Sequence, residues 1–441
     1  MKQSYYNFFF KLESNGQYLA YNARENGLAL VDERLKSVVC SLSPGDVPQL
    51  PEEVARNLRL GGFIVDDEMD EYRLLQVRRR QAQYDSKRLG LTIAPTQNCN
   101  LACKYCYETP SRLVMDEQTI ERTEAFVKQQ IDSGVKGLDI AWYGGEPLLC
   151  MDVIAKLSSR LIALCDGHGV NYNAAIVTNG TLFSRTTAER LKDLRVWQAQ
   201  ITVDGDRWTH DQRRPYRGGQ GSFEKIIGNI KEACGVIQII IRINIDTNNA
   251  DHALTFFDDL TSQPWFEKEK ITAYFGHVRK TTNSCKCSEE ECLKCGDFWK
   301  HEAQLHNLLA AKGLGAHPYP TAASGCGATT LMSSTIGPRG EIYKCWNDCG
   351  DSTKIVGSLH EPSTLSPLHL EYLTESFETD EECRECKVLP LCMGGCVDIR
   401  IKAKRGEADS KDCSRWRYYL EDTLRKFYLQ KMKEQAKAKP T

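Results

Sequence analysis

The sequence contains no long hydrophobic run and has almost no net charge. A membrane span needs roughly 18 consecutive apolar residues, and no stretch of this chain approaches that length, so no transmembrane helix is predicted. The net charge of −2 does not favour a general binder of nucleic acids or membrane surfaces. The apolar stretch near the start, within SYYNFFFKLE, is too short for a signal peptide. We therefore expect a cytoplasmic protein that binds neither nucleic acid nor membrane.

Cysteine, by contrast, is abundant, with 19 residues in a chain of 441. In a chain this long without an export signal, metal ligation is a better explanation than a disulfide framework. Thiolates are soft ligands that suit zinc and iron–sulfur clusters. The remaining composition, 41% apolar and 26% charged, is that of a globular protein, and the length predicts two to four domains.

Patterning divides the chain into four segments: 1–88, 89–280, 281–325 and 326–441. The first has strand-like runs followed by helical runs such as PEEVARNLRLGG, which predicts a small winged-helix-like module. The third is a connector with four cysteines and a helix, DFWKHEAQLHNLLAAKG. The last is rich in cysteine and turns and ends in an amphipathic helix, SRWRYYLEDTLRKFYLQKMKEQAKAK.

The second segment alternates between strand-like and helical patterns. Its six apolar runs are LGLTIAPT, GLDIAWYGG, YNAAIVTNG, AQITVDG, IQIIIRINID and ITAYFGH. Strands separated by crossover helices form a parallel sheet, so the fold class is α/β. Either an open, partial barrel or a doubly wound sheet fits this pattern. In both, the active site lies beyond the carboxyl ends of the strands.

Three cysteines follow the first of these strands, in PTQNCNLACKYCYE. Cys99, Cys103 and Cys106 have C-x3-C-x2-C spacing. Three thiolates leave one iron of a four-iron cluster without a protein ligand, and that iron can chelate a small molecule. A zinc knuckle normally closes four ligands with two C-x2-C pairs, so the spacing favours a [4Fe–4S] cluster.

This motif, with Tyr105 just before its last cysteine, resembles that of the radical S-adenosylmethionine (radical SAM) superfamily. Five further stretches resemble the motifs of that family in order, at or after strand ends. They are Gly144-Gly145-Glu146-Pro147, Thr178-Asn179-Gly180, Thr202-Val203-Asp204-Gly205, the HDQRR…GGQGSF stretch with Arg214, and Arg242-Ile243-Asn244. The resemblance implies a partial (β/α)6 TIM-like barrel.

The resemblance also implies the chemistry. The catalytic cluster on Cys99, Cys103 and Cys106 would reductively cleave S-adenosylmethionine to methionine and a 5′-deoxyadenosyl radical, which abstracts hydrogen from a substrate. The strand end at Gly144–Pro147 would contact the methionine amino group, and Arg214 its carboxylate. The implied cofactor-binding residues are Tyr105, Gly144, Gly145, Glu146, Pro147, Thr178, Asn179, Asp204, Arg214 and Asn244.

A second cysteine set resembles the SPASM extension, which holds two auxiliary [4Fe–4S] clusters. By that resemblance, the outer cluster would be held by Cys383, Cys386, Cys392 and Cys413, and the inner one by Cys326, Cys345 and Cys396. Two closed clusters need eight thiolates, and this motif supplies seven. The eighth ligand could come from Cys349 or from the connector cysteines; alternatively, the inner cluster has an open iron. The connector cysteines are Cys285, Cys287, Cys292 and Cys295.

The combined resemblance implies an oxidoreductase that matures a ribosomally made precursor peptide by oxidative crosslinking. A thioether is the favoured product, and carbon–carbon or ether bonds are alternatives. Its cofactors would be three [4Fe–4S] clusters and S-adenosylmethionine. Its partners would be a precursor whose leader binds residues 1–88 as an added strand, and an electron donor such as a flavodoxin or ferredoxin.

Two other hypotheses compete with this one. The first is a side-chain oxidase that resembles the anaerobic sulfatase-maturing enzymes. Some of those relatives have a general base directly after the cysteine that matches Cys345, where this chain has Trp346. The second, of another class, is a non-catalytic zinc-binding scaffold, because C-x2-C pairs also suit zinc.

Overall fold

The computed structural model describes residues 1–13, 16–47, 49–267, 270–282, 284–314, 318–323, 325–361, 365–408 and 412–438. These residues form two compact units. The first comprises Met1–Gln83, Ala316–Cys326 and Glu375–Thr441, and the second comprises Tyr84–Gly315 and Gly327–Thr374. Each unit gathers segments that are distant in sequence, whereas the sequence pattern divides the chain at 88, 280 and 325.

The first unit begins with short strands and helices. The strands are β1 (Lys2–Gln3), β2 (Asn7–Lys11), β3 (Tyr18–Asn22), β4 (Gly27–Val31) and β5 (Ile64–Val65). The helices are α1 (Glu33–Ser41), α2 (Glu52–Leu60) and α3 (Glu71–Gln83). Strands β2, β3 and β4 form an antiparallel sheet in that order, and β1 pairs with β5. The expected helix in PEEVARNLRLGG is confirmed as α2.

The second unit is built on the six predicted strands. They are β6 (Arg88–Ile93), β7 (Gly137–Trp142), β8 (Asn171–Thr178), β9 (Val196–Thr202), β10 (Gln238–Ile245) and β11 (Ile271–His277). All pair in parallel, each beside the next in the chain. Their alternate residues, such as Leu91, Ile140 and Ile241, are buried in one hydrophobic core. The order never reverses, which excludes the doubly wound alternative.

Helices connect these strands and follow them. They are α4 (Glu117–Asp132), α5 (Met151–His168), α6 (Arg185–Asp193), α7 (Arg207–Arg213), α8 (Phe223–Ala233), α9 (Ala250–Thr261) and α10 (Cys295–Ala311). Right-handed crossovers in one direction place the connecting helices on one face of the sheet. The carboxyl ends of the strands therefore share one edge, where the motif residues lie.

Three strands that the sequence pattern did not reveal extend this sheet. They are β12 (Ser333–Ile336), β13 (Glu341–Tyr343) and β14 (Gly357–Ser358). Strand β12 pairs in parallel with β6, and β13 and β14 follow in antiparallel order. Helix α11 (Pro367–Thr374) completes the unit. Part of the segment 326–441 thus belongs to the same sheet as the six βα units.

The remainder of the first unit consists of short turns around cysteines and one long helix. Its helices are α12 (Glu381–Arg384), α13 (Leu389–Cys392), α14 (Val397–Lys404) and α15 (Trp416–Ala438). Helix α15 confirms the expected C-terminal helix, although Tyr419 departs from helical geometry. In the second unit, short 3₁₀ turns occur at Pro147–Cys150, Gly327–Thr329, Trp346–Asp348 and Ser352–Lys354, and in the first unit at Phe377–Thr379. None of the described helices combines the length and apolarity that crossing a bilayer requires.

Candidate functional site

The three motif cysteines lie together in the loop between β6 and α4. Each is partly buried, and each thiol lies close enough to another to affect its titration. Burial raises the pKa of Cys99 and of Cys106 to about 12. A buried thiol of this kind ionises when a metal binds it. The donor set therefore fits a three-thiolate cluster.

Two donors aim at one of these sulfurs. The Leu101 backbone N–H lies 3.5 Å from Cys99 Sγ, and the Asn179 Nδ2 lies 3.7 Å from it. Such donors stabilise a thiolate ligand and orient it. Asn179, which sequence analysis placed among the cofactor-binding residues, thus contacts the cysteine loop from the end of β8.

The end of β7 packs directly against the cysteine loop. Gly145 N–H donates to Thr96 O over 3.1 Å, and Glu146 N–H donates to Asn98 O over 2.8 Å. A Cβ on Gly145 would lie 2.4 Å from Asn98 O, a distance that no real side chain tolerates. This position must be glycine because two backbones approach each other here.

Glu146 is fully buried and saturated with hydrogen bonds. Its carboxylate accepts from Leu148 N–H at 3.0 Å, Thr178 Oγ1 at 2.7 Å and Asn179 N–H at 2.6 Å. Burial raises the pKa of Glu146, and these bonds oppose the rise. Glu146 therefore joins the ends of β7 and β8 and has a positioning role.

Tyr105 is the centre of a buried polar network. Its hydroxyl accepts from Arg214 Nη1 at 2.6 Å and Asn244 Nδ2 at 3.1 Å, and it forms a short hydrogen bond with Asp204. Asp204 also accepts from the Asn244 N–H at 3.0 Å. The structure thus brings together four of the residues that sequence analysis predicted, from the cysteine loop and three strand or helix ends.

Sequence reasoning missed Arg213 and Asp246, which complete this network. The Arg213 guanidinium lies 3.4 Å from Asp204 Oδ2 and 2.5 Å from Asp246 Oδ2, and it lies over the Tyr105 ring at 5.0 Å. Arg213 stands within the quoted HDQRR stretch, but nothing in the sequence joins it to an aspartate 33 residues away.

Arg214 differs from its neighbour in having unused donor capacity. It is buried, and its Nε has no hydrogen-bond partner among the described residues. Burial lowers the pKa of Arg214, but Cys103, Tyr105 and Asp204 outweigh that effect and raise it well above the ordinary value. A buried guanidinium with a free N–H fits an anionic ligand such as a carboxylate.

A histidine supports the backbone of Arg214 through Ser222. Buried His210 accepts the Asp204 N–H at Nδ1 over 3.2 Å, and its Nε2 lies 3.0 Å from Ser222 Oγ. Ser222 Oγ in turn donates to Arg214 O at 2.7 Å. Burial lowers the pKa of His210 to about 4, so this ring is neutral at pH 7 and holds the α7 turn in place.

The first unit contains the other clear cysteine group. Four cysteines line one cavity: Cys383, Cys386, Cys392 and Cys413. Leu389, Asp412 and Arg417 also line it. Arg417 and Arg400 donate to Cys413 Sγ and Cys383 Sγ at 3.3 and 3.6 Å. The left-handed residues Met393, Gly394 and Gly395 form the turn after Cys392.

These four are the residues assigned to the outer cluster. Across the described ranges, no three Cys, His, Asp or Glu side chains converge closely enough to bind a single ion. A four-iron cluster binds one thiolate at each iron and therefore needs ligands spread around a cavity. Four thiols around one cavity are the donor set that such a cluster requires.

The other predicted ligands are distributed between the units. Cys326 and Cys396 belong to the first unit, and Cys345, two residues after the end of β13, belongs to the second. Cys349 is buried, and Gln97 Nε2 lies 3.9 Å from its sulfur. Trp346 is 54% exposed and stacks on Tyr143 with ring centroids 6.1 Å apart.

In the connector, Cys285 and Cys287 form a disulfide, so neither is a thiolate ligand in this form.

Comparisons with known proteins find a family model and several relatives. A family model described as the Radical SAM superfamily matches residues 93–260. The chain is 23% identical over 327 residues to a serine-type anaerobic sulfatase-maturating enzyme of Klebsiella aerogenes, covering 68% of this chain and 76% of that protein. It is 29% identical over 164 residues to the sporulation killing factor maturation protein SkfB of Bacillus subtilis (strain 168), covering 37% of each.

A solved structure of Streptococcus suis SuiB bound to precursor peptide SuiA superimposes with a TM-score of 0.54 at 16% identity, covering 94% of this chain and 99% of that chain. This likeness shows a shared fold. Members of the radical SAM superfamily use a [4Fe–4S] cluster and S-adenosylmethionine. The chain carries a radical SAM domain and is a radical SAM enzyme homologous to anaerobic sulfatase maturases and to the maturation protein SkfB.

Proposed function

We propose that this enzyme is a peptide maturase that forms an oxidative crosslink, most simply a thioether, in a ribosomally made precursor. The observation that carries the proposal is the buried network around Tyr105, which meets the cysteine loop where the strand ends converge. When bound, the cluster and S-adenosylmethionine supply a 5′-deoxyadenosyl radical that abstracts hydrogen from the peptide. The sheet that positions them is, in this proposal, a partial (β/α)6 barrel.

In this proposal the protein positions the cosubstrate and holds it in a buried site. Cys99, Cys103 and Cys106 hold the cluster, and the Gly144–Gly145 turn fixes their loop. Arg214 binds the methionine carboxylate through its free Nε. Because Arg214 is held by Tyr105 and by the His210–Ser222 pair, the cation is in place before the ligand arrives.

Crosslinking removes two hydrogens, so a second electron must leave after hydrogen abstraction. We assign its acceptor to auxiliary clusters on the SPASM-like cysteines. Cys383, Cys386, Cys392 and Cys413, which line one cavity, would hold the outer cluster. For the inner cluster, the SPASM resemblance implies Cys326, Cys345 and Cys396 as ligands, and three protein ligands would leave one iron open to a substrate thiolate. A substrate thiolate bound there is the reason that a thioether is the favoured product.

The leader peptide is assigned to the outer edge of β4. Leu12 N–H donates to Gln17 O and Ala23 N–H donates to Tyr6 O at the two ends of the β2–β3 pairing. Hydrogen-bonded pairs alternate along an antiparallel ladder, so Asn7, Phe9 and Lys11 direct their backbone groups away from β3. That edge is partly covered, since Lys387 and Arg425 donate to Asn7 O and Lys11 O. Lysine and arginine placed on an edge in this way discourage strand addition.

The opposite edge of this sheet is formed by β4. Tyr18, Ala20 and Asn22 face β4, so Leu28 and Leu30 direct their backbone groups outward. The structure gives these outward groups no hydrogen-bond partner among the described residues. An extended leader segment can pair with them as a fourth strand.

A proline substitution tests this assignment. Leu30→Pro removes one outward N–H and leaves the bonds between β4 and β3 intact, since an edge strand tolerates proline on its free side. We expect leader affinity to fall at least about tenfold, whereas Leu30→Ala, which keeps the N–H, should stay within about threefold. The probe is the fluorescent leader half of the peptide encoded beside the gene. Equal affinities in both variants would refute the β4 assignment.

The activity is tested with the reconstituted enzyme and the full-length version of that peptide. We expect about twelve irons per chain, from three four-iron clusters, and a peptide product lighter by two hydrogens per crosslink. A variant with alanine at Cys99, Cys103 and Cys106 should make no 5′-deoxyadenosine under reductant. Fewer than four irons per wild-type chain would instead support the zinc scaffold.

A side-chain oxidase remains the second candidate, because the similarity to the Klebsiella sulfatase-maturating enzyme covers 68% of this chain. The residue after Cys345 is Trp346, and the next acid, Asp348, is buried and accepts from Tyr372 Oη at 2.6 Å. Neither feature provides an exposed general base. Conversion of a serine- or cysteine-containing sulfatase peptide, but not of the neighbouring precursor, would establish this second function.

A further inference from the structure

The connector that follows β11 runs along the cysteine loop. Lys286 N–H donates to Lys104 O at 3.0 Å, and Thr282 Oγ1 donates to Tyr107 O at 2.6 Å. The hydroxyls of Thr109 and Ser284 also share a hydrogen bond at 3.0 Å. The connector thus bonds to the loop at three points within six residues.

A disulfide closes the connector at this point of contact. Cys285 and Cys287 are bonded to each other and buried, at 5% and 7% exposure. They pack with Val278 in a small apolar cluster, which Tyr105 and Cys292 border. The amide that bonds to the cysteine loop is that of Lys286, the single residue between the two cysteines. The disulfide therefore fixes the donor that holds the loop.

The same connector is held on its far side by the loop after β10. Thr247 N–H and Thr247 Oγ1 both bond to Glu291 O, at 3.0 and 3.1 Å. Thr247 directly follows Asp246, the partner of Arg213. The connector thus joins the cysteine loop to the segment that holds the buried arginine.

We infer that Cys285 and Cys287 form a redox site that clamps the cysteine loop when oxidised and releases it when reduced. Reduction by a dithiol consumes two electrons and two protons: the S–S bond breaks, two thiols form, and the dithiol becomes a disulfide. An enzyme that uses a low-potential electron works under reducing conditions, in which disulfides are transient and sense redox state. The reduced, released connector is then the working form and the oxidised clamp the idle form, and the inference rests on the proposed function only for that last point.

The size of the effect follows from the ring that the disulfide closes. The disulfide constrains three residues, 285–287. Closing a loop of that length lowers the population of the locally opened conformation by a factor on the order of ten. The Lys286 amide and the amides of the loop it holds should therefore exchange with solvent deuterium about tenfold faster after reduction.

Hydrogen exchange of the reconstituted, full-length chain tests the inference. One anaerobic sample is treated with dithiothreitol and another with oxidised glutathione, and alkylation with mass spectrometry reports the state of Cys285 and Cys287. We expect faster exchange in peptides spanning 103–109 and 280–292 of the reduced sample only. The double variant Cys285→Ser/Cys287→Ser should show the fast exchange in both samples.

Cys234→Ser, at the end of α8, is the matched control and should behave as wild type. Failure to detect a linked Cys285–Cys287 peptide after oxidation would overturn the inference, as would equal exchange of the loop in the two samples. The measurement uses no peptide substrate, so an enzyme that fails to crosslink its precursor leaves the result unaffected.

Discussion

Removing the Tyr105 hydroxyl should weaken the binding of S-adenosylmethionine without unfolding the site. Tyr105→Phe keeps the ring under Arg213 and removes the acceptor of Arg214 Nη1. It is the only hydrogen bond that the Arg214 side chain makes among the described residues. Asp204 keeps its bonds to the Arg213 Nε and the Asn244 N–H, so the carboxylate stays satisfied.

Asn244 Nδ2 loses its acceptor as well, but the larger cost falls on Arg214, because its shorter bond is charge-assisted. A hydrogen bond to a charged group contributes about 1.5–3 kcal/mol, and part of the arginine's preorganisation is lost with it. If that energy appears in binding, the dissociation constant of S-adenosylmethionine should rise about tenfold to a hundredfold. Arg214→Lys should raise this dissociation constant by a smaller factor in the Tyr105→Phe background than in the wild type, since both changes break the same hydrogen bond.

Anaerobic titration calorimetry of the reconstituted enzyme measures this change. Tyr274→Phe is the matched control: its hydroxyl donates to Gln200 Oε1 at 2.6 Å on the same sheet, and its loss should alter affinity by less than about twofold. An unchanged dissociation constant in Tyr105→Phe, with a full iron content, would refute the assignment of Arg214 to the cosubstrate.

Three further predictions concern the loop, the outer cysteines and the histidine. Gly145→Ala should lose about four irons, because its Cβ would lie 2.4 Å from Asn98 O, whereas Gly167→Ala, with nothing within 4 Å, should keep them. Cys413→Ser should also lose about four irons, and exposed Cys40→Ser should lose none. Burial lowers the pKa of His210 to about 4. As pH falls below about 6.5, the histidine therefore binds a proton in the unfolded chain but not in the folded protein, and the unfolded state gains stability. Wild type should thus lose about 2 kcal/mol between pH 7 and pH 5, seen as a drop in melting temperature that His210→Gln reduces.

The parallel sheet was predictable because its signals are local. Apolar runs alternating with amphipathic helices specify βα units, and all six predicted strands are present. Motifs placed at successive strand ends had to meet, since parallel strands share one carboxyl edge. Tyr105, Asp204 and Asn244 meet for this reason.

Features that depend on tertiary pairing were not predictable. Strand β12 is four residues long, too short for a periodic pattern, and exists because it pairs with β6 more than 200 residues earlier in the chain. The disulfide between Cys285 and Cys287 was equally hidden. Their spacing suggested metal ligation or free thiols, and only the fold of the connector reveals the bond.

The two adjacent arginines show what the fold adds to a motif. In sequence, Arg213 and Arg214 are equivalent guanidinium groups, and only a resemblance distinguished them. In the structure, Arg213 lies between the carboxylates of Asp204 and Asp246, which neutralise its charge. Arg214 bonds instead to a neutral hydroxyl and retains an unpaired Nε in a buried site. A buried cation without a carboxylate partner is costly until an anion binds it, so an incoming carboxylate gains most at Arg214.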